Sequence, residues 1–174
     1  MQTTTKFLIR VFTLFIFLVL LVLTSCQSNK QKAQEKLMEE AIENSAGQKT
    51  DADINGDKVT IEGENYKAEV NSKGGKWSEE IPKDVPEFNY GTIDHSTVSE
   101  AEGTKSWGFI FKAISEDVIG KYDALLKKNG FETMKMTMGK GGSITGEKNN
   151  IVVSVIWSEE MTHVSVQVSN VKDQ

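Results

Sequence analysis

What most limits the fold of this chain is an abrupt change of apolar period at Gly130. Before it, Val118, Tyr122, Leu125 and Leu126 fall on one helical stripe. Ser115 stands at the N-cap position, Glu116 and Asp117 occupy the positive first turn, and Lys127, Lys128 and Gly130 close the helix. After it, residues 131–138, 143–147, 151–158 and 162–171 alternate with period two, separated by turns at 139–142 and 149–150. Two more strands, 93–99 and 105–113, precede the helix across a turn at 100–103. The order predicts ββα followed by a four-stranded meander. That is an antiparallel sheet with one main helix on one face, an α+β domain over residues 91–174. In the second strand Trp107, Phe109 and Phe111 point one way and are read as core under the helix, with a ligand groove as the alternative.

Residues 51–76 read as a small three-stranded β-meander ahead of this domain. Asn55-Gly56 is a two-residue hairpin signal; Ala52 and Ile54, then Val59 and Ile61, alternate with polar residues, and Tyr66, Ala68 and Val70 supply a third strand. The same letters carry a competing pattern. Asp51, Asp53, Asn55, Gly56, Asp57 and Glu62 fit the spacing of an EF-hand calcium loop, with donors at alternate positions, glycine at the sixth and an acid at the twelfth. Against it, Lys58 stands where such a loop carries an aliphatic residue, no exiting helix follows, and no second loop is present to pair with it. No metal site is assigned. Both prolines, Pro82 and Pro86, fall within a linker at 77–90, whose Trp77, Ile81, Val85 and Phe88 are expected to lie against the following domain.

The chain opens with Lys6 and Arg10 and no acid, then an apolar run from Val11 to Leu23, then Leu23-Thr24-Ser25-Cys26. This is the layout of a signal peptide over residues 1–25. A spanning helix, the alternative, needs about 20 apolar residues and would place Arg10 inside the span. Leu23-Thr24-Ser25-Cys26 resembles the lipobox of bacterial lipoprotein precursors. The resemblance implies a diacylglycerol on the Cys26 thiol, cleavage before it, and acylation of the new amine. Several acyl chains, at about 0.8 kcal/mol per buried methylene, hold a protein stably on a membrane. Gln27, in place of the family's retention aspartate, implies the outer membrane of a two-membrane bacterium, or the outer leaflet of a single-membrane one. Residues 26–50 then form a tether, in which Ala33, Leu37 and Ala41 mark a short amphipathic helix over 32–44.

Cys26 is the only cysteine, so stability outside the cytoplasm has to come from packing and not from disulfides. Cleavage before it leaves 18 cations against 25 acids, a net charge of −7. An acidic chain without a basic cluster is not expected to bind nucleic acid. The expected partner is the membrane, through lipid on Cys26, with an envelope protein or a small-molecule ligand as a second. His95 and His163 lie far apart in sequence, with no carboxylate or histidine at ligand spacing. Gly139-Lys140-Gly141-Gly142 joins strand to strand and reads as a turn, not a phosphate cradle. No catalytic residue and no cofactor is assigned.

Ile81-Pro-Lys-Asp-Val-Pro86, the stretch Tyr122-Asp-Ala-Leu-Leu-Lys-Lys-Asn-Gly-Phe131 and the closing strand pairs are similar to the C-terminal domain of small envelope lipoproteins of unassigned activity. That resemblance implies no mechanism. The expected function is a membrane-anchored, non-catalytic binding or structural module. One alternative is an envelope hydrolase or transferase, which needs at least two of His95, His163, Tyr90 and nearby acids to converge in a pocket. The other is a calcium-dependent adhesion or sensor domain resting on residues 51–62.

Overall fold

The computed structural model describes residues 36–37, 40–41, 50–112 and 114–169. Residues 1–25, Cys26 and most of the tether lie outside them. Lys36, Leu37, Glu40 and Ala41 are helical, and Leu37 of the expected stripe is exposed. Among the described residues no helix is long and apolar enough to cross a membrane.

The elements are β1 (Thr50–Asn55), β2 (Lys58–Gly63), β3 (Tyr66–Asn71), β4 (Ile93–Ala101), β5 (Thr104–Lys112), α1 (Glu116–Lys128), β6 (Glu132–Met138), β7 (Gly141–Lys148), β8 (Ile151–Trp157) and β9 (Met161–Ser169). Strands take 54% of the described residues and helix 14%, so the protein is mainly β, which corrects the α+β expectation. The physical reason is one of weight. A single 13-residue helix covers part of one sheet face, while most of the core comes from cross-strand rows.

The chain divides into two compact units between Lys67 and Ala68, inside β3. In the first, β1 and β2 pair as an antiparallel hairpin with Asn55 opposite Lys58. Gly56, at φ +63°, and Asp57 fill the turn, so glycine takes the first central position. The turn therefore sits one residue later than Asn55-Gly56 suggests. Ala52, Val59 and Ile61 are buried while Asp51, Asp53 and Glu62 face solvent, the alternation a half-buried hairpin requires.

In the second unit the strands pair antiparallel in the order β4-β5-β9-β8-β7-β6. One buried row crosses it as Ser96, Phe109, Val164, Val155 and Ile144, and the next as Val98, Trp107, Val166, Val153 and Gly146. Ile119, Tyr122 and Leu126 of α1 join these residues in one apolar core, each fully buried. Val118 and Leu125, expected at the centre of the helical stripe, flank it and are only partly buried, while Ile119 takes the central place. Ser115 does stand at the N-cap, but its side chain makes no capping hydrogen bond. At the other end Phe131 N–H donates to the Leu126 carbonyl and Gly130 N–H to that of Lys127, with Gly130 at φ +84°. This is a Schellman stop, which is why the helix ends where glycine can take the left-handed position.

Residues 77–90 are bound into this core. Ile81, Val85 and Phe88 are buried, and Trp77 packs beside them. The Tyr122 hydroxyl donates to the Pro86 carbonyl at 2.9 Å, and Phe88 meets both Phe111 and Tyr122 at 4.9 Å between ring centroids. Lys148 Nζ ties the segment to the end of α1, reaching Asp84 Oδ2 at 2.8 Å and the Asn129 carbonyl at 2.9 Å.

Candidate functional site

Inside the second unit, the chain from Asn71 to Glu80 passes over β4 and β5 and leaves a cleft of about 710 Å3. Two backbone features set it there. Gly74 N–H donates to the Asp94 carbonyl at 2.6 Å. Gly75 lies so close to β4 that an added Cβ would stand 2.6 Å from Ser96 Oγ and 3.1 Å from Ile93 Cγ2. Only glycine admits this approach. Asp94 is also the extra residue of a β-bulge, since Ile93 pairs with Phe111 and His95 with Ile110. Beyond the glycines, Trp77 stacks on Phe109 at 4.8 Å.

The wall and rim divide by chemistry. Trp107, Phe109, Val98 and Ser96 form the wall, and Lys73, Lys76, Glu79 and Glu80 stand on the rim. Lys105 Nζ bridges the two, 2.9 Å from Glu80 Oε2 and 5.6 Å from the centre of the Trp107 ring. Trp107 is 3% exposed, and its indole N–H has no acceptor. A buried donor left unmatched costs about 1–3 kcal/mol. Lys73, Lys76 and Glu79 make no ion pair among the described residues, so the unpaired rim carries two cations and one anion. The arrangement offers hydrogen-bond donors and cations beside an aromatic wall.

The residues singled out in the sequence are placed elsewhere. Cys26 lies outside the described residues. Asp51, Asp53, Asn55, Asp57 and Glu62 are strung along the β1–β2 hairpin, with Asp51 opposite Glu62 and Asp53 opposite Thr60, so the donors run along a ladder and do not wrap round a point. Among the described residues no group of three or more His, Cys, Asp or Glu is arranged to hold a metal ion. Gly139 and Lys140 form the β6–β7 turn, and Lys140 pairs with Glu159 at 2.6 Å.

His95 and His163 are brought into one cross-strand row on the face away from α1, with Ile110 between them. Neither lines the cleft, and Tyr90 packs instead edge-on against Phe88 and Tyr122. His95 Nδ1 is 3.3 Å from Asp94 Oδ2, yet the two are not aligned as a hydrogen bond. Burial holds the His163 imidazole below the ordinary histidine range. Burial pushes the Tyr122 phenol up, with Tyr90 beside it adding to the shift. Trp107, Phe109 and Phe111 all belong to the core, as expected, and Trp107 and Phe109 also line the cleft. Lys105, Glu80 and the unmatched indole were not visible as a site in sequence. The one signal that could have found them is Gly74-Gly75, a glycine pair ahead of an aromatic residue.

Compared with protein families, curated proteins and solved structures, the chain has no match.

Proposed function

We propose that this protein is a lipid-anchored, non-catalytic binding module of the bacterial cell envelope. A diacylglycerol on Cys26 holds it to the membrane, and the cleft under residues 71–80 takes a small, acceptor-bearing anion. The anchor reading rests on one cysteine placed at the end of an apolar run behind two cations. The binding reading rests on the cleft itself, in which the aromatic wall of Trp107 and Phe109 stands under a rim that carries Lys73 and Lys76. The lysines would supply charge-assisted hydrogen bonds to the anion.

The test uses protein made with its own leader and extracted from its own membranes. Intact mass is expected to show loss of residues 1–25 and lipid on Cys26; an intact Met1 or a free Cys26 thiol sinks the anchor. Native mass spectrometry of the same material is expected to show a bound small anion that is lost in Lys73→Glu/Lys76→Glu and retained in Lys140→Glu. Equal retention in all three sinks the cleft.

A further inference from the structure

Strand β6 (Glu132–Met138) closes the strand order at one end, and it is exposed almost throughout. Only Thr133 is half-buried. A sheet edge presents a row of unpaired N–H and C=O groups, and natural sheets guard such edges with proline, bulges, very short strands or charges pointing off the edge. β6 has no proline and no bulge, is not short, and carries two charges, Glu132 at its start and Lys135. It runs seven residues and pairs with β7 without a break in register. Its one cation, Lys135, is folded back over the sheet, 3.6 Å from Glu116 Oε1 and 5.5 Å from the centre of the Trp157 ring. On the opposite face Met134, Met136 and Met138 are 69%, 52% and 73% exposed. The flexible, polarisable thioether suits such a face to contact with another apolar surface.

We propose that β6 pairs with β6 of a second copy, antiparallel about a twofold axis through Met136, so that two sheets join into one. The occupant follows from the letters of the strand. With Met136 opposite its own equivalent, Met134 falls opposite Met138 and Lys135 opposite Thr137 of the second copy. The three methionines of each chain then form one continuous apolar stripe, and no like charges face each other along the paired strands. Centring the pair on Lys135 sets two lysines face to face. Slipping it by one residue opposes Met136 to Lys135 and splits the stripe between faces. The strand is thus complementary to itself in one register. Burial of the edge and of the methionine row drives the association, and tethering to one membrane, if present, raises the effective concentration.

Cys26 is the only native cysteine, so single cysteines report the pairing cleanly against wild type. Residues directly opposed across an antiparallel pair have Cα atoms about 4.5–5.5 Å apart, within reach of a disulfide. Full-length protein in mild detergent carrying Met136→Cys is expected to form a disulfide dimer on mild oxidation. Met134→Cys and Met138→Cys are each expected to stay uncrosslinked alone and to crosslink when mixed. Met136→Lys is expected to weaken dimerisation about tenfold or more in sedimentation, because like charges then meet on the axis. It should leave the melting temperature of the dilute monomer unchanged, since the position is exposed. Three results overturn the proposal: no Met136→Cys dimer beyond the wild-type level, self-crosslinking at Met134→Cys, or crosslinking of Met136→Cys to a chain of different mass.

Discussion

The two faces of the β4-β5-β9-β8-β7-β6 sheet come from the same strands, one residue apart, yet they share little chemistry. Under α1 the rows read Phe109, Val164, Val155, Ile144 and Trp107, Val166, Val153, all at 3% exposure or less. On the other face one row reads Met136, Ser143, Ile156, His163, Ile110 and His95, and the next reads Met134, Thr145, Ser154, Ser165, Gly108 and Thr97. The first face excludes water and carries the folding free energy. The second is small, largely uncharged and open at the β6 end, so its residues are free to make contacts the fold does not need. Period-two alternation separates the two duties along every strand.

The hardest way to break this contrast is to truncate one residue on each face. Phe109→Ala removes a ring that stacks on Trp77 and sits in the core, and it is expected to cost about 3–5 kcal/mol in urea unfolding. Ile156→Ala, at 51% exposure on the other face, is expected to stay within about 0.5 kcal/mol when the protein is dilute. A cost at Ile156 approaching that at Phe109 would mean the outer face is core after all.

A substitution of opposite sign sharpens the same point. Thr162 lies on the buried face between Trp157 and Phe111, is fully buried, and its hydroxyl has no hydrogen-bond partner. Thr162→Val keeps the shape and removes the unmatched group, so it is expected to stabilise by about 1–2 kcal/mol. A loss of stability on chemical denaturation would show that the hydroxyl is satisfied.

Much of this was legible from residue order, and what was not has a physical cause. Turns and caps are local, so Gly130 after Lys127-Lys128 marked the end of α1 and Asn149-Asn150 marked a hairpin, with Asn149 at φ +53°. The β1–β2 turn slipped by one residue because Gly56 serves as well in the first central position as in the second. Ile119 was missed because Val118 completes an equally good stripe, and only the sheet beneath decides which of two adjacent residues is central. Strand order is not local at all. That β9 returns beside β5 puts His95 and His163 in one row and leaves β6 at an edge, and no period in the chain encodes either. The cleft needed the same long-range pairing plus the close approach of Gly75. Cys26 had the strongest signal in sequence and lies outside the described residues.

The seam between helix and sheet offers a finer test. Tyr122→Phe removes the hydroxyl that donates to the Pro86 carbonyl and changes nothing else in the ring cluster of Phe88, Tyr90 and Phe111. It is expected to cost about 1 kcal/mol, read as a shift in the urea midpoint at constant slope. No change would assign the docking of residues 77–90 to apolar contact alone.

The smallest expected effect distinguishes the faces by proton binding. His163, on the open face, has its imidazole lowered by burial, so the folded state holds it neutral at a pH where the unfolded chain already protonates it. Between about pH 6.5, the ordinary histidine value, and its lower folded value, the unfolded state binds more protons, and stability falls as pH falls. Asp123, on α1, titrates in a separate window. Burial alone would raise its carboxyl, but hydrogen bonds from Lys127 and Thr133, with the charges of Lys127 and Lys135, hold it below the usual carboxylate range. Its contribution is present above about pH 4 and is lost only as pH drops through the folded value. His163→Gln is therefore expected to flatten the stability profile below pH 6.5 and leave the loss below pH 4 intact, while Asp123→Asn does the reverse. If His163→Gln leaves the upper window unchanged, the imidazole is solvated in the folded state, and the outer face is more open than its half-buried histidine indicates.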